Sequence, residues 1–110
     1  MAVEATRIQI EGALASVSRH PLHKEATAWP YAHREVVVEP KSFLSRMRVS
    51  DDTKKHIDAA LIDVEVILWV LYMTAEREPE ALGGGGNEYG FFVHPSSFAV
   101  LHAYVGTWRA

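Results

Sequence analysis

The sequence predicts an α+β fold: a small sheet packed against a long central helix and a C-terminal helix. Three observations predict it. Ser50 to Glu78 carries apolar residues at helical spacing, at Ile57, Leu61, Val64, Leu68, Leu71, Tyr72 and Ala75. Arg34 to Glu39 holds three consecutive valines and is closed by Pro40, which marks a short strand. Tyr89 to His94 reads Tyr-Gly-Phe-Phe-Val-His and is closed by Pro95, which marks a second.

The elements follow in order. Val3 to Val17 is rich in Ala, Glu, Arg and Gln, which favours helix, although Thr6 to Glu11 also alternates like a strand. Gly12 weakens either assignment. Ser18 to His33 holds Pro21, Pro30 and three of the six histidines and reads as a long loop. Ser42 can cap a short helix over Phe43 to Arg48. Ser50, with Asp51 and Asp52, offers acceptors to the first N–H groups of the long helix. At 1.5 Å per residue that helix would be about 40 Å long. Its middle, Val66 to Met73, is an unbroken apolar run, so it must be buried all round, in its own core or against a partner. The competing assignment is a buried strand from Val64 to Met73. Pro79 ends the helix, and four glycines, Gly83 to Gly86, predict a flexible loop. Ser96 or Ser97 would then cap a last helix through Phe98, Leu101, Val105 and Trp108.

At 110 residues the chain is expected to form one domain over residues 1–110, long enough to bury a core without staples. There is no cysteine, which excludes disulfides, thiolate catalysis and Cys-based zinc sites. The first ten residues carry Glu4 and Arg7 and lack the apolar stretch of a signal peptide. The longest apolar run falls short of the roughly 20 residues a membrane span needs. A cytoplasmic location without membrane contact is the expectation.

The net charge of −3 is unevenly spread. Arg19 to Arg48 carries six Lys/Arg against three Glu, whereas Asp51 to Glu88 carries nine Asp/Glu against three Lys/Arg. The plain interpretation is two solvated faces. The sharper one is an acidic surface that steers a basic protein partner. The overall sign argues against nucleic acid.

Several residues have the chemistry for a site. His20, His23 and His33 are three imidazoles on one predicted loop, the best metal candidates, but their spacing matches no zinc pattern. No cofactor is expected. His94 precedes Ser96 and Ser97 at a predicted helix start, where an anion could meet backbone N–H groups and His94 could act as acid or base. The plainer role for all three is making the turn. Glu65 is an acid within an apolar stretch, with a raised pKa expected if it is buried and unpaired. The glycine run is no phosphate loop, because Asn87, Glu88 and Tyr89 follow where Lys and Ser/Thr are needed.

No catalytic signature emerges, so the expectation leans away from an enzyme. The first expectation is an interaction or assembly module, an adaptor or inhibitor, forming a homo-oligomer through Leu68, Trp69 and Tyr72 on the long helix. The alternative is a small enzyme or ligand-binding protein with its site at His94, Ser96, Ser97 and Glu65, with metal at the three histidines if it needs one.

Overall fold

The computed structural model describes residues 3–47, 49–75 and 85–109. Strand β1 is Val3–Glu4, helix α1 Arg7–Val17, helix α2 Pro21–Thr27 and strand β2 Tyr31–Pro40. A 3-10 helix, Lys41–Arg46, leads to helix α3, Asp51–Ala60. Strands β3 (Val66–Ala75), β4 (Gly85–Val93) and β5 (Val100–Arg109) complete the chain. The strands lie side by side in sequence order, every neighbouring pair antiparallel. The α+β class stands.

The long central helix does not. Ser50 caps α3 as expected, its Oγ accepting from the Thr53 N–H at 3.2 Å. The helix then stops at Ala60, and Val66–Ala75 is the middle strand of the sheet. The turn between them is tied down from a distance: the Lys41 N–H donates to the Glu65 carbonyl, and Lys41 Nζ to the Leu61 carbonyl, each at 3.1 Å.

Strand β3 is apolar from Val66 to Met73 because one of its faces is covered along its length and the other at its Ile67 end. Leu68, Val70 and Tyr72 meet Ala13 and Val17 of α1, Ala26 of α2, and Tyr89 and Phe91 of β4. Ile67 meets Phe43 and Leu44 of the 3-10 helix, Ile57 of α3, and Phe92 on the opposite face. Such a strand reads as a continuous hydrophobic run rather than an alternating one.

The C-terminal helix is also corrected, to strand β5. A turn over residues 94–99 precedes it, and Phe98 in that turn has φ 61°. Two backbone bonds close the turn, Phe98 N–H to the His94 carbonyl at 3.0 Å and His94 N–H to the Ala99 carbonyl at 2.9 Å. They hold a conformation that costs a β-carbon residue on the order of 1–2 kcal/mol.

The predicted loop from Ser18 to His33 instead contains α2 and the start of β2. The His20 side chain caps α2 by accepting the Leu22 N–H at 3.1 Å, and Pro21 follows at the first helical position. Of the glycine run, Gly83 and Gly84 lie outside the described residues, while Gly85 and Gly86 are in β4. A β-carbon on Gly86 would overlap the Thr74 carbonyl, so close approach of two strands is what requires glycine there.

Leu68→Ala should lower the unfolding free energy by about 2–5 kcal/mol, because it opens a cavity in a fully buried position. Leu71→Ala, on the half-exposed opposite face, should lose clearly less. Denaturant melts of the two variants check this.

Candidate functional site

His94 follows directly on β4 and is only 7% exposed. Its Nδ1 accepts two backbone N–H groups, from Ser96 at 3.0 Å and Ser97 at 3.1 Å. That places the ring proton on Nε2, which donates to Asp63 Oδ1 at 3.2 Å. Both ring nitrogens are therefore spent, Nδ1 on shaping the turn and Nε2 on holding Asp63. No helix follows, so the anticipated anion site at a helix start is absent. Ser97 Oγ accepts the Ala99 N–H at 3.3 Å, and Ser96 is exposed beside it. The hydrogen bond from His94 is the main reason that the exposed Asp63 carboxyl is held below the usual carboxylate range, aided by a backbone hydrogen bond.

The other candidates scatter. His20 stacks edge-on against Phe91, and His23 against Tyr72, on the α1/α2 side of the sheet. His33 lies opposite Met73 on the other side, with Glu35 at 3.4 Å. The sheet separates it from the first two, and no cluster of three or more His, Asp or Glu among the described residues is arranged to hold a metal ion. Glu65 is exposed at the turn before β3, not buried. Leu68 and Tyr72, anticipated as interface residues, lie inside the chain under α1 and α2. Trp69 alone of that set is on the opposite, partly open face.

On that opposite face the structure does assemble a group. Trp69 packs against Phe43 at 5.5 Å between ring centres and Phe92 at 6.4 Å. Tyr104 of β5 lies 5.7 Å from Phe92, and His102 stacks on Phe92 at 6.0 Å. Trp69 Nε1 donates to the Tyr104 hydroxyl at 3.1 Å, which donates to Glu88 Oε2 at 2.9 Å. The Tyr104 ring occupies the space where Gly90, its partner in register, would carry a β-carbon. Burial, reinforced by the Glu88 carboxylate, pushes the Tyr104 hydroxyl well above its ordinary pKa, so it stays a donor. Burial lowers the pKa of His102, favouring its neutral form.

The 3-10 helix and α3 cover only one end of this face. Beyond Trp69, the side chains of Leu71, Met73 and Val37 are half-buried, and Glu35 and His33 are exposed. No described helix packs on that part. The face runs out to β5, the last strand of the sheet. Sequence reasoning missed Tyr104 and Gly90. The available signal was Gly90 itself, an isolated glycine in a strand pattern, which marks close approach of a neighbour.

Against known proteins, the chain matches no family model, no curated protein and no solved structure. No described helix is long and apolar enough to cross a membrane.

Two outcomes are expected. Tyr104→Phe should destabilise the fold by about 1–2 kcal/mol, because Trp69 Nε1 and Glu88 both lose their partner; chemical denaturation measures it. Asp63 has a depressed folded pKa, so its contribution to stability is full above the unfolded carboxylate pKa and disappears as pH falls through the folded one. Asp63→Asn should therefore melt lower at neutral pH and show a shallower acid loss, read from melting temperature against pH.

Proposed function

We propose that this chain is a non-enzymatic assembly module that pairs with a second copy of itself through the outer edge of β5. The observation that carries this reading is the chemistry of that edge. Strand β5 spans Val100–Arg109, and its outer backbone row has no partner among the described residues. From Val100 to Thr107 it has neither a Lys, Arg, Asp or Glu nor a proline. Exposed edges are ordinarily guarded by such residues. The other open edge is guarded: β1 covers β2 only near Val37 and Val38, and the uncovered part carries His33, Arg34 and Glu35.

A second copy is the occupant that suits this edge. It offers an unpaired strand of the same length by construction, and antiparallel pairing about a two-fold axis satisfies both backbone rows. With the axis at Tyr104, the two Arg109 residues would lie about 33 Å apart at 3.3 Å per residue. That is well beyond the screening length of about 8 Å. The axis stands normal to the sheet, so the partly open faces of both copies join on one side. An adaptor, an inhibitor or an assembly component are the roles such a module serves, and the open face with Glu35 and Glu88 suits a basic protein partner. The cysteine-free composition suits the cytoplasm.

Sedimentation velocity tests the reading. The wild-type chain should sediment as a dimer. Val105 is 46% exposed, and Val105→Lys should yield a folded monomer, because two ammonium groups would meet near the axis. Ile62→Lys, at a position 82% exposed and off the edge, should remain dimeric. A monomeric wild type, or a Val105→Lys dimer, would overturn the proposal.

A further inference from the structure

A second feature lies at the C-terminal end of α2, separate from the β5 edge. Glu25, Ala28, Trp29 and Pro30, with Asn87 and Tyr89 of β4, line an open cleft of about 470 Å³. The Tyr89 side chain is fully buried at its base, and its hydroxyl organises the site. It accepts from Trp29 Nε1 at 3.1 Å and from Asn87 Nδ2 at 3.2 Å, and donates to Glu25 Oε1 at 3.2 Å.

This network uses up the donors. The Trp29 N–H and the Tyr89 O–H are both spent inside it. Of the donor groups on the lining side chains, the second N–H of Asn87 is left. The acceptors are not used up: among the described residues Glu25 Oε2 and Asn87 Oδ1 have no hydrogen-bond partner. Among the described residues, Glu25 is the one charged residue of the lining, and no cation lines the cleft with it. The half-buried indole of Trp29 and the ring of Pro30 supply apolar surface beside the carboxylate. The indole is held by its own hydrogen bond, so it is positioned before any ligand arrives.

A carboxylate, a spare amide oxygen and a fixed indole select a ligand that is positively charged, donates hydrogen bonds and carries a short apolar stem. We propose that the cleft binds a primary alkylammonium group, with Glu25 accepting from the charged head and Trp29 lying against the stem. An anion finds no counter-charge among the described lining residues. A free amine and a lysine side chain share this chemistry. The site is independent of self-association and would stand if the chain were monomeric.

The test uses the full chain and three probes: n-butylammonium, tetramethylammonium and butyrate. The readout is the Trp29 indole N–H resonance, assigned by its loss in Trp29→Phe. Butylammonium should shift it saturably. Tetramethylammonium, which has no N–H, should bind more weakly, and butyrate should leave the resonance in place. Glu25→Gln keeps an oxygen for the Tyr89 hydroxyl, so the network and fold are retained, but the loss of charge should weaken butylammonium about tenfold. Comparing a lysine-containing peptide with the free amine then separates the two sources, and tighter binding of either supports the site. No shift with butylammonium, equal binding of butyrate, tetramethylammonium binding as tightly as butylammonium, or undiminished affinity in a folded Glu25→Gln chain would overturn the proposal.

Discussion

The rest of the structure depends on the burial of β3 from both sides. Ile67, Leu68 and Val70 are fully buried, alternately toward the 3-10 helix with α3 and toward α1 with α2. Full burial of such a side chain contributes about 1.5–3 kcal/mol. Three of them together approach the whole net stability of an ordinary domain, which is about 5–15 kcal/mol. Because β3 pairs with both β2 and β4, the same strand sets the register of everything around it. Helices α1 and α2 cannot dock without Leu68 and Tyr72, nor can α3 without Ile67 beneath it.

The two faces are not covered equally, and this inequality locates the surfaces that can act. On the α1/α2 side, the side chains of Trp29, Asn87 and Glu25 converge on one hydroxyl, that of Tyr89. On the other side, Trp69, Tyr104 and Glu88 form a hydrogen-bonded chain where helix cover gives out. A tryptophan and a tyrosine suit that boundary, being apolar in body and polar at one atom. His94 belongs to neither surface. Its two nitrogens hold a turn and Asp63, which is why a histidine that looked chemical in the sequence has a structural role.

Much of the fold was legible where a local signal had one cause. The valines of β2, the aromatic run of β4, the Ser50 cap and the helical composition of residues 7–17 each reflect local preference, and each appears in the structure. What failed were assignments in which distant contacts decide. Val66 to Met73 is apolar at every position, so a period of two and a period of 3.6 fit it equally, and only pairing with β2 and β4 selects the strand. Phe98, Leu101, Val105 and Trp108 fit a helical stripe by coincidence. The positive φ of Phe98, which no spacing announces, turns the chain into β5 instead. His20 and Pro21 were a readable cap and first helical position, obscured by the surrounding prolines and histidines. The grouping of Trp29 with Tyr89, 60 residues apart, and of Trp69 with Tyr104, 35 apart, was beyond local reasoning.

The central claim, that Val66–Ala75 is the middle strand, is tested most directly by proton NMR contacts along that segment. Cross-strand backbone contacts should join Trp69 to Val37 on one side and to Phe92 on the other, as the register requires. Contacts from each residue to the third one onward through Val66 to Met73, with no cross-strand partners, would show a helix and contradict the account.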